Sequence, residues 1–401
     1  MRRRIEAVIS IIVMTFLALT LWDVLSALTF TDMFGQSSYN TYTLQALAWR
    51  EGRLSLGRDY PWLELAVYQG DYYVSFPPVP TIPVWILTYV FGAATPDNLL
   101  IKLYALFAMY AVYFTLVRQK YSAASAALTA FSVCFCGSAM ALSTQGAVWY
   151  QAQMTALMTM CLSILWLRSG HITWSLFAYA LSVGCRPFNA VYGPLIMFIW
   201  WRGARDPSDP PALALKKTVS GLWKGIALGL CVAGGMAWYN VARFGNPFEF
   251  GTSYLPEFMR SAHGEFSLHH LMSNIRDFVF GLPIARGVDG AWTLKMFGFS
   301  VFLANPMLMW LLSAIIADAV ARRMTAEKAF LCACFMAQLF LLLLHRTFGG
   351  LQFGARYAVD LIPYAVLYMT LTKRRRVSVG EWIAYPLGIC LSVIGVALVH
   401  I

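Results

Sequence analysis

The chain has 401 residues, 59% of them hydrophobic and only 12% charged, with a mean hydropathy of +0.61. A soluble domain carries about 25% charged residues, so the composition excludes one and points to an all-α polytopic membrane protein. The net charge of +11 raises nucleic acid as a partner, but the placement of the charges excludes it.

A span needs about 20 apolar residues, and about 11 transmembrane helices are read at 7–29, 98–118, 123–142, 148–167, 172–185, 188–201, 217–239, 298–320, 326–345, 357–372 and 382–400. The first apolar run is too long for the core of a cleavable signal and reads as a signal anchor. Residues 30–97 form a first loop. Within it, residues 37–56 predict an amphipathic helix that ends at Gly52 and lies along the membrane surface. Residues 81–94, opened by Pro77, Pro78, Pro80 and Pro83, cover only about 20 Å as a helix and predict an interfacial helix. The fifth and sixth spans are short and meet at Cys185, Arg186 and Pro187, which places their turn within the membrane. Residues 205–211 read as a solvated linker of turn residues. The whole chain reads as one transmembrane domain, 1–401, with outer loops 30–97, 240–297 and 346–356.

Charge counting sets the sides. With the N-terminus inside, the inner pieces hold 18 Lys and Arg against six acids, and the outer pieces eleven of each. The basic excess is therefore a topology signal. It puts all three loops, and the C-terminus, on the outer face.

Residues 59–80 concentrate what looks chemical: three acids (Asp59, Glu64, Asp71), a run of aromatics and a proline cluster. In the third loop Gly349, Gly350 and Gly354 permit tight bends and close approach to a ligand, and Arg356 follows where the next span begins, with Tyr357 beside it. Such an arginine suits a phosphate at headgroup depth; it equally suits snorkelling to lipid headgroups. Arg186, a charge inside an apolar run, calls for a cavity or a partner: an anion site, or a structural pair with Asp23 or Asp360. The eight cysteines lie in apolar runs without His or acid at ligand spacing, and read as small hydrophobes. His269 and His270 are adjacent, point apart on a helix and have no third ligand. No metal is expected.

Five segments carry a resemblance: residues 40–56, 63–80, 184–195, 239–251 and 351–364, containing LELAVYQGDYYVSFPPVP, GCRPFNAVYGPL, YNVARFGNPFEFG and LQFGARYAVDLIPY. Together, in order across most of the chain, they resemble the bacterial members of the GT-C fold integral-membrane glycosyltransferases, the class of protein O-mannosyltransferases and lipid A aminoarabinose transferases. The resemblance implies a polyprenyl-phosphate sugar donor, an acceptor glycan, lipid or protein, an active site at the outer face of a bacterial cytoplasmic membrane, and inverting transfer without a cofactor. One position departs from it. Better-known members carry an acid just before the Tyr that opens the first-loop helix, whereas this chain reads Gln36-Ser37-Ser38-Tyr39. The resemblance favours Glu64 as the catalytic base, with Asp32 and Asp59 in reserve; given such a donor, the chemistry of a leaving phosphate sets Arg356 and Arg186, with Tyr357, on the donor phosphate. Trp62, Tyr72 and Tyr73 stack on a sugar or anchor the loop at the interface. A lipid-linked-saccharide transporter or flippase, a surface-polysaccharide polymerase or ligase, and a non-catalytic relative are the competing readings.

Overall fold

The computed structural model describes residues 2–205, 208–287 and 290–400, so residues 206–207 of the linker and 288–289 of the second loop lie outside the described residues. Long apolar runs become helices because a helix satisfies its own backbone polar groups where no water can. In chain order these are α1 (Arg2–Thr29), α2 (Thr41–Arg50), α3 (Thr81–Phe91), α4 (Asp97–Arg118), α5 (Ala123–Phe135), α6 (Ser138–Leu142), α7 (Val148–Arg168), α8 (Ile172–Val183), α9 (Tyr192–Ala204) and α10 (Pro211–Phe244). Three one-turn helices follow, α11 (Pro256–Met259), α12 (Leu271–Asn274) and α13 (Val301–Ala304), and then α14 (Pro306–Val320), α15 (Ala326–Leu344), α16 (Ile362–Leu371) and α17 (Val379–His400). Two small antiparallel hairpins sit in the loops. One pairs β1 (Leu65–Tyr68) with β2 (Asp71–Val74), and the other β3 (Ile284–Arg286) with β4 (Trp292–Leu294).

Among the described residues five helices, α1, α4, α10, α15 and α17, are long and apolar enough to cross a membrane. The other expected spans are shorter, broken or more polar. The span expected at 123–142 breaks between α5 and α6, where Gly137 takes φ +75° and a Cβ would meet the Asn305 side chain at 2.3 Å. The one expected at 298–320 becomes a full helix only from Pro306. The one expected at 357–372 opens as a 3-10 turn, Arg356–Leu361, before the ten residues of α16. α16 is buried along Ile362 to Thr370, so neighbouring helices surround it. α7 runs through the centre with Gln151, Gln153, Thr155, Thr159 and Ser163 all buried.

The helix predicted within residues 37–56 forms as α2 and is largely packed against the rest of the protein. Thr41, Tyr42, Thr43, Gln45, Ala46 and Ala48 are buried, because Gln45 pairs with the Tyr239 hydroxyl on α10 and with Thr81 at the start of α3. α3, the helix expected at 81–94, is 11 residues long, buries Thr81, Val84 and Thr88, and leaves Ile86, Tyr89 and Val90 exposed. The end of α10 at Phe244 makes the first five residues of the 240–297 loop helical.

The two ends of the bundle sort as the charge pattern groups them. At one end Arg202 pairs with Glu327, Arg168 donates to Gln119 and to the Thr370 carbonyl, and the Ser122 amide bonds the Arg375 carbonyl. At the other end the loops interlock. Arg243 donates to the Val74 carbonyl, the Ser267 amide to the Leu344 carbonyl and the Arg346 amide to the Glu265 carbonyl.

Candidate functional site

Where the loops converge they enclose a cavity of about 450 Å³. Its walls come from five places in the sequence: Glu64 to Pro77 of the first loop, Trp149 at the start of α7, the Cys185–Phe188 turn between α8 and α9, Phe248 to Phe266 of the second loop, and His345 to Tyr357. The Cys185–Arg186–Pro187 turn, expected inside the membrane, thus opens onto the space that the three loops cover.

Glu64 sits immediately before β1, and pairing of β1 with β2 holds it at the mouth of the cavity. Its Oε2 accepts the indole N–H of Trp149 at 2.8 Å. The residue is exposed beside the cavity, yet the protein packed around it raises its pKa above the usual glutamate range, against the lowering effects of the Trp149 hydrogen bond and the Arg356 charge. Trp149 also packs on Tyr39, ring centres 5.0 Å apart. The Tyr39 carbonyl accepts the Val148 amide at 3.2 Å. Glu64 therefore reaches, through one residue, the neighbourhood in which the first-loop acid of the resembling family is missing here.

Arg356 begins the 3-10 turn ahead of α16, its amide fixed by Gln352 Oε1 at 2.7 Å and its carbonyl by the Gln153 amide group at 3.0 Å. Its guanidinium lies 5.7 Å from the centre of the Trp149 ring and 5.5 Å from that of Tyr357. Gly349, at φ +112°, makes room for it: a Cβ there would stand 2.5 Å from the arginine Nε. That Nε is buried without a hydrogen-bond partner. Among the described residues no carboxylate stands within ion-pair distance of Arg356.

Arg186 differs. Its Nε and one terminal nitrogen both donate to Asp360 Oδ2, at 3.0 and 2.9 Å, and both side chains are almost fully buried. The guanidinium also lies over Tyr357, 4.6 Å from the ring centre. Of the two partners weighed for it, Asp360 is the one it meets. Tyr357 thus stands between the two arginines, and all three line the cavity with Glu64.

The remaining candidates lie elsewhere. Asp59 is exposed, and Asp32, also exposed, accepts the Phe34 amide at 2.9 Å. Trp62 is 58% exposed and donates to the Ser38 carbonyl. Tyr73 packs on Phe244, ring centres 5.3 Å apart, and the Tyr72 carbonyl accepts the Leu56 amide. These contacts stitch the first loop together. The cavity lining adds residues the sequence did not single out: Trp149, Glu249, Glu257, Glu265 and His345. Glu249 and His345 lie beside the aromatic and glycine turns that mark loops two and three, a signal that was available. Trp149, one aromatic among many at span ends, gave none. His345 Nε2 stands 3.3 Å from Glu265 Oε1 and ties the second loop to the third. Among the described residues no group of three or more His, Cys, Asp or Glu is placed to hold a metal.

No family model and no curated protein matches the sequence. Solved structures do match its shape. ArnT from Cupriavidus metallidurans bound to undecaprenyl phosphate aligns over 95% of this chain and 62% of its own, at 13% identity and a TM-score of 0.54. ArnT in the apo state gives 14% identity, a TM-score of 0.50 and the same coverage, 95% and 62%. The archaeal oligosaccharyltransferase AglB from Archaeoglobus fulgidus, in complex with an inhibitory peptide and a dolichol-phosphate, aligns over 96% of this chain and 55% of its own, at 13% identity and a TM-score of 0.50. The chain thus spans about three fifths of ArnT and just over half of AglB. At these identities what is shared with ArnT and AglB is the fold.

Proposed function

We propose that the chain is a glycosyltransferase that moves a sugar from a polyprenyl-phosphate donor to an acceptor hydroxyl at the outer face of a bacterial cytoplasmic membrane. The observation that carries the reading is the cavity that Glu64 lines together with Arg356, an arginine with no carboxylate in ion-pair distance among the described residues, while Trp149 touches both. The donor is a phosphodiester, so its leaving phosphate is stable without a proton. Its departure calls for positive charge where negative charge grows, and Arg356 supplies it. Arg186, already balanced by Asp360, supports Arg356 through Tyr357 rather than leading. On the acceptor side Glu64 takes the hydroxyl proton as the oxygen attacks the anomeric carbon and the carbon–phosphate-oxygen bond breaks. Attack opposite the leaving group inverts that carbon. A raised pKa makes Glu64 a better proton acceptor than an ordinary glutamate, provided it is ionised at working pH. Neither step requires a metal or cofactor.

The prenyl tail needs an apolar path. A groove of about 420 Å³ between α8, α9 and α10, lined by Gly193, Gly225 and Gly229 and by apolar side chains, meets that need. Val232 and Met236 of its wall pack against the cluster of Val79, Ala156 and Cys185, and Cys185 also lines the polar cavity.

The reading is tested by transfer from a panel of short-chain prenyl-phosphate sugars to crude membrane acceptors. Wild type is expected to consume a donor. Glu64→Gln should lose roughly 10²- to 10⁴-fold in rate, and Arg356→Ala roughly 10²- to 10³-fold. If wild type consumes no donor across a broad panel, transport or a non-catalytic role replaces this reading.

A further inference from the structure

Trp149 touches both halves of the site. Its indole N–H donates to Glu64 Oε2 at 2.8 Å, and the Arg356 guanidinium lies 5.7 Å from its ring centre. It is half-buried at the first turn of α7, on a helix whose core is packed on all sides, while Glu64 hangs from a two-stranded hairpin and Arg356 from a glycine turn. The rigid partner is therefore the tryptophan. Tyr39 backs its ring at 5.0 Å and fixes its tilt. We propose that Trp149 is the positioning residue of the site, aiming the Glu64 carboxylate with its N–H and seating the Arg356 guanidinium on its ring. The assignment rests on the transferase reading for its purpose but not for its test.

The chemistry separates the two contacts. An N–H donated to a carboxylate stabilises the ionised form, so removing it leaves Glu64 harder to ionise. The other charges around Glu64 stay in place. Arg356 favours its ionisation and Glu257 opposes it, and Glu249, Glu265, Arg186 and His345 line the same cavity. Trp149→Phe keeps an aromatic face for Arg356 and deletes only the donor.

The experiment follows the pH at which Glu64 in the purified full chain reacts with a water-soluble carbodiimide, to whose nitrogen a protonated carboxyl gives its proton as its oxygen adds to the central carbon, with site-resolved mass spectrometry as the readout. The labelling midpoint in Trp149→Phe should lie about one pH unit above that of wild type. In a transfer assay the acidic limb of kcat/KM should move upward by the same amount, with donor KM little changed. A packing role for Trp149 would move neither. An unchanged midpoint in a folded Trp149→Phe overturns the proposal even if wild type transfers sugar. A shifted midpoint in a protein that transfers nothing upholds the contact while sinking the transferase reading. Should Trp149→Phe fail to fold, wild type labelled with 5-fluorotryptophan serves instead. One indole fluorine resonance should titrate with the Glu64 labelling midpoint and lose that titration in Glu64→Gln, and its absence overturns the proposal.

Discussion

Two arginines face the same tyrosine across the cavity, and their surroundings make them different residues. On the wall formed by the α8–α9 turn, Arg186 gives two hydrogen bonds to Asp360, which is buried, while the arginine itself keeps a small exposed edge toward the cavity. On the wall formed by the third loop, Arg356 lies against two aromatic rings with a glycine behind it and no carboxylate in ion-pair distance among the described residues. A buried pair gains little net stability, but breaking one leaves an uncompensated charge. An arginine held by aromatics keeps its charge available. The first wall is built for holding the turn, and the second for holding an anion.

The largest effect should come from breaking the first wall. Asp360→Ala leaves Arg186 buried without a counter-charge and is expected to cost about 3–5 kcal/mol of stability, read as a fall in the unfolding midpoint in detergent. Arg356→Ala should leave that midpoint nearly unchanged while transfer collapses. Equal losses of stability from the two variants would dissolve the distinction between the walls.

The next effect concerns the acid facing Arg356. A base must be ionised to take a proton, so transfer should fall as the pH drops through the Glu64 pKa. Because burial raises that pKa, the fall should come above about pH 4.3, where an ordinary glutamate ionises. Residual transfer in Glu64→Gln should be flat over the same range. A wild-type limb that survives in Glu64→Gln would return the role of base to Asp32 or Asp59. Both lie away from the cavity, and Asp32→Asn and Asp59→Asn should leave transfer within about twofold, since exposed substitutions generally change energies by no more than about 0.5 kcal/mol.

Much of this was legible in the sequence, and the reasons differ by residue. Arg186 and Arg356 stood out because a charge in or beside an apolar run must be matched by something. Glu64 could be singled out, but Trp149 could not: the hydrogen bond between them joins residues 85 positions apart, and no local pattern encodes it. The aromatics of the first loop fit two roles by composition, a sugar platform or an anchor for the loop; Tyr73 packs on Phe244 and Trp62 donates to the Ser38 carbonyl, contacts that no local sequence pattern encodes. Helix positions were readable from hydropathy where lipid faces the helix, as in α1 and α17. They were less readable where protein does. α16 needs only ten residues because its neighbours bury it, and α5 stops just before Gly137, which takes φ +75° where a side chain would collide with Asn305.

The smallest effect tests whether Arg356 is seated by its loop. Gly349 has φ +112°, a region that L side chains rarely adopt, and any Cβ would press on the arginine Nε. Gly349→Ala must therefore move either the loop or the guanidinium. A shift of the loop alone would appear as lost stability with donor KM intact. A shift of the guanidinium should weaken its hold on the donor phosphate while Glu64, fixed from the other side by Trp149, keeps its place. The expected result is a rise of about fivefold in donor KM, equivalent to about 1 kcal/mol, with kcat and the acidic limb of the pH profile unchanged. Asp360 and Arg186 predict the contrast: their turn contains no residue at positive φ, so the wall they form has no comparable hinge on which a single methyl group could act.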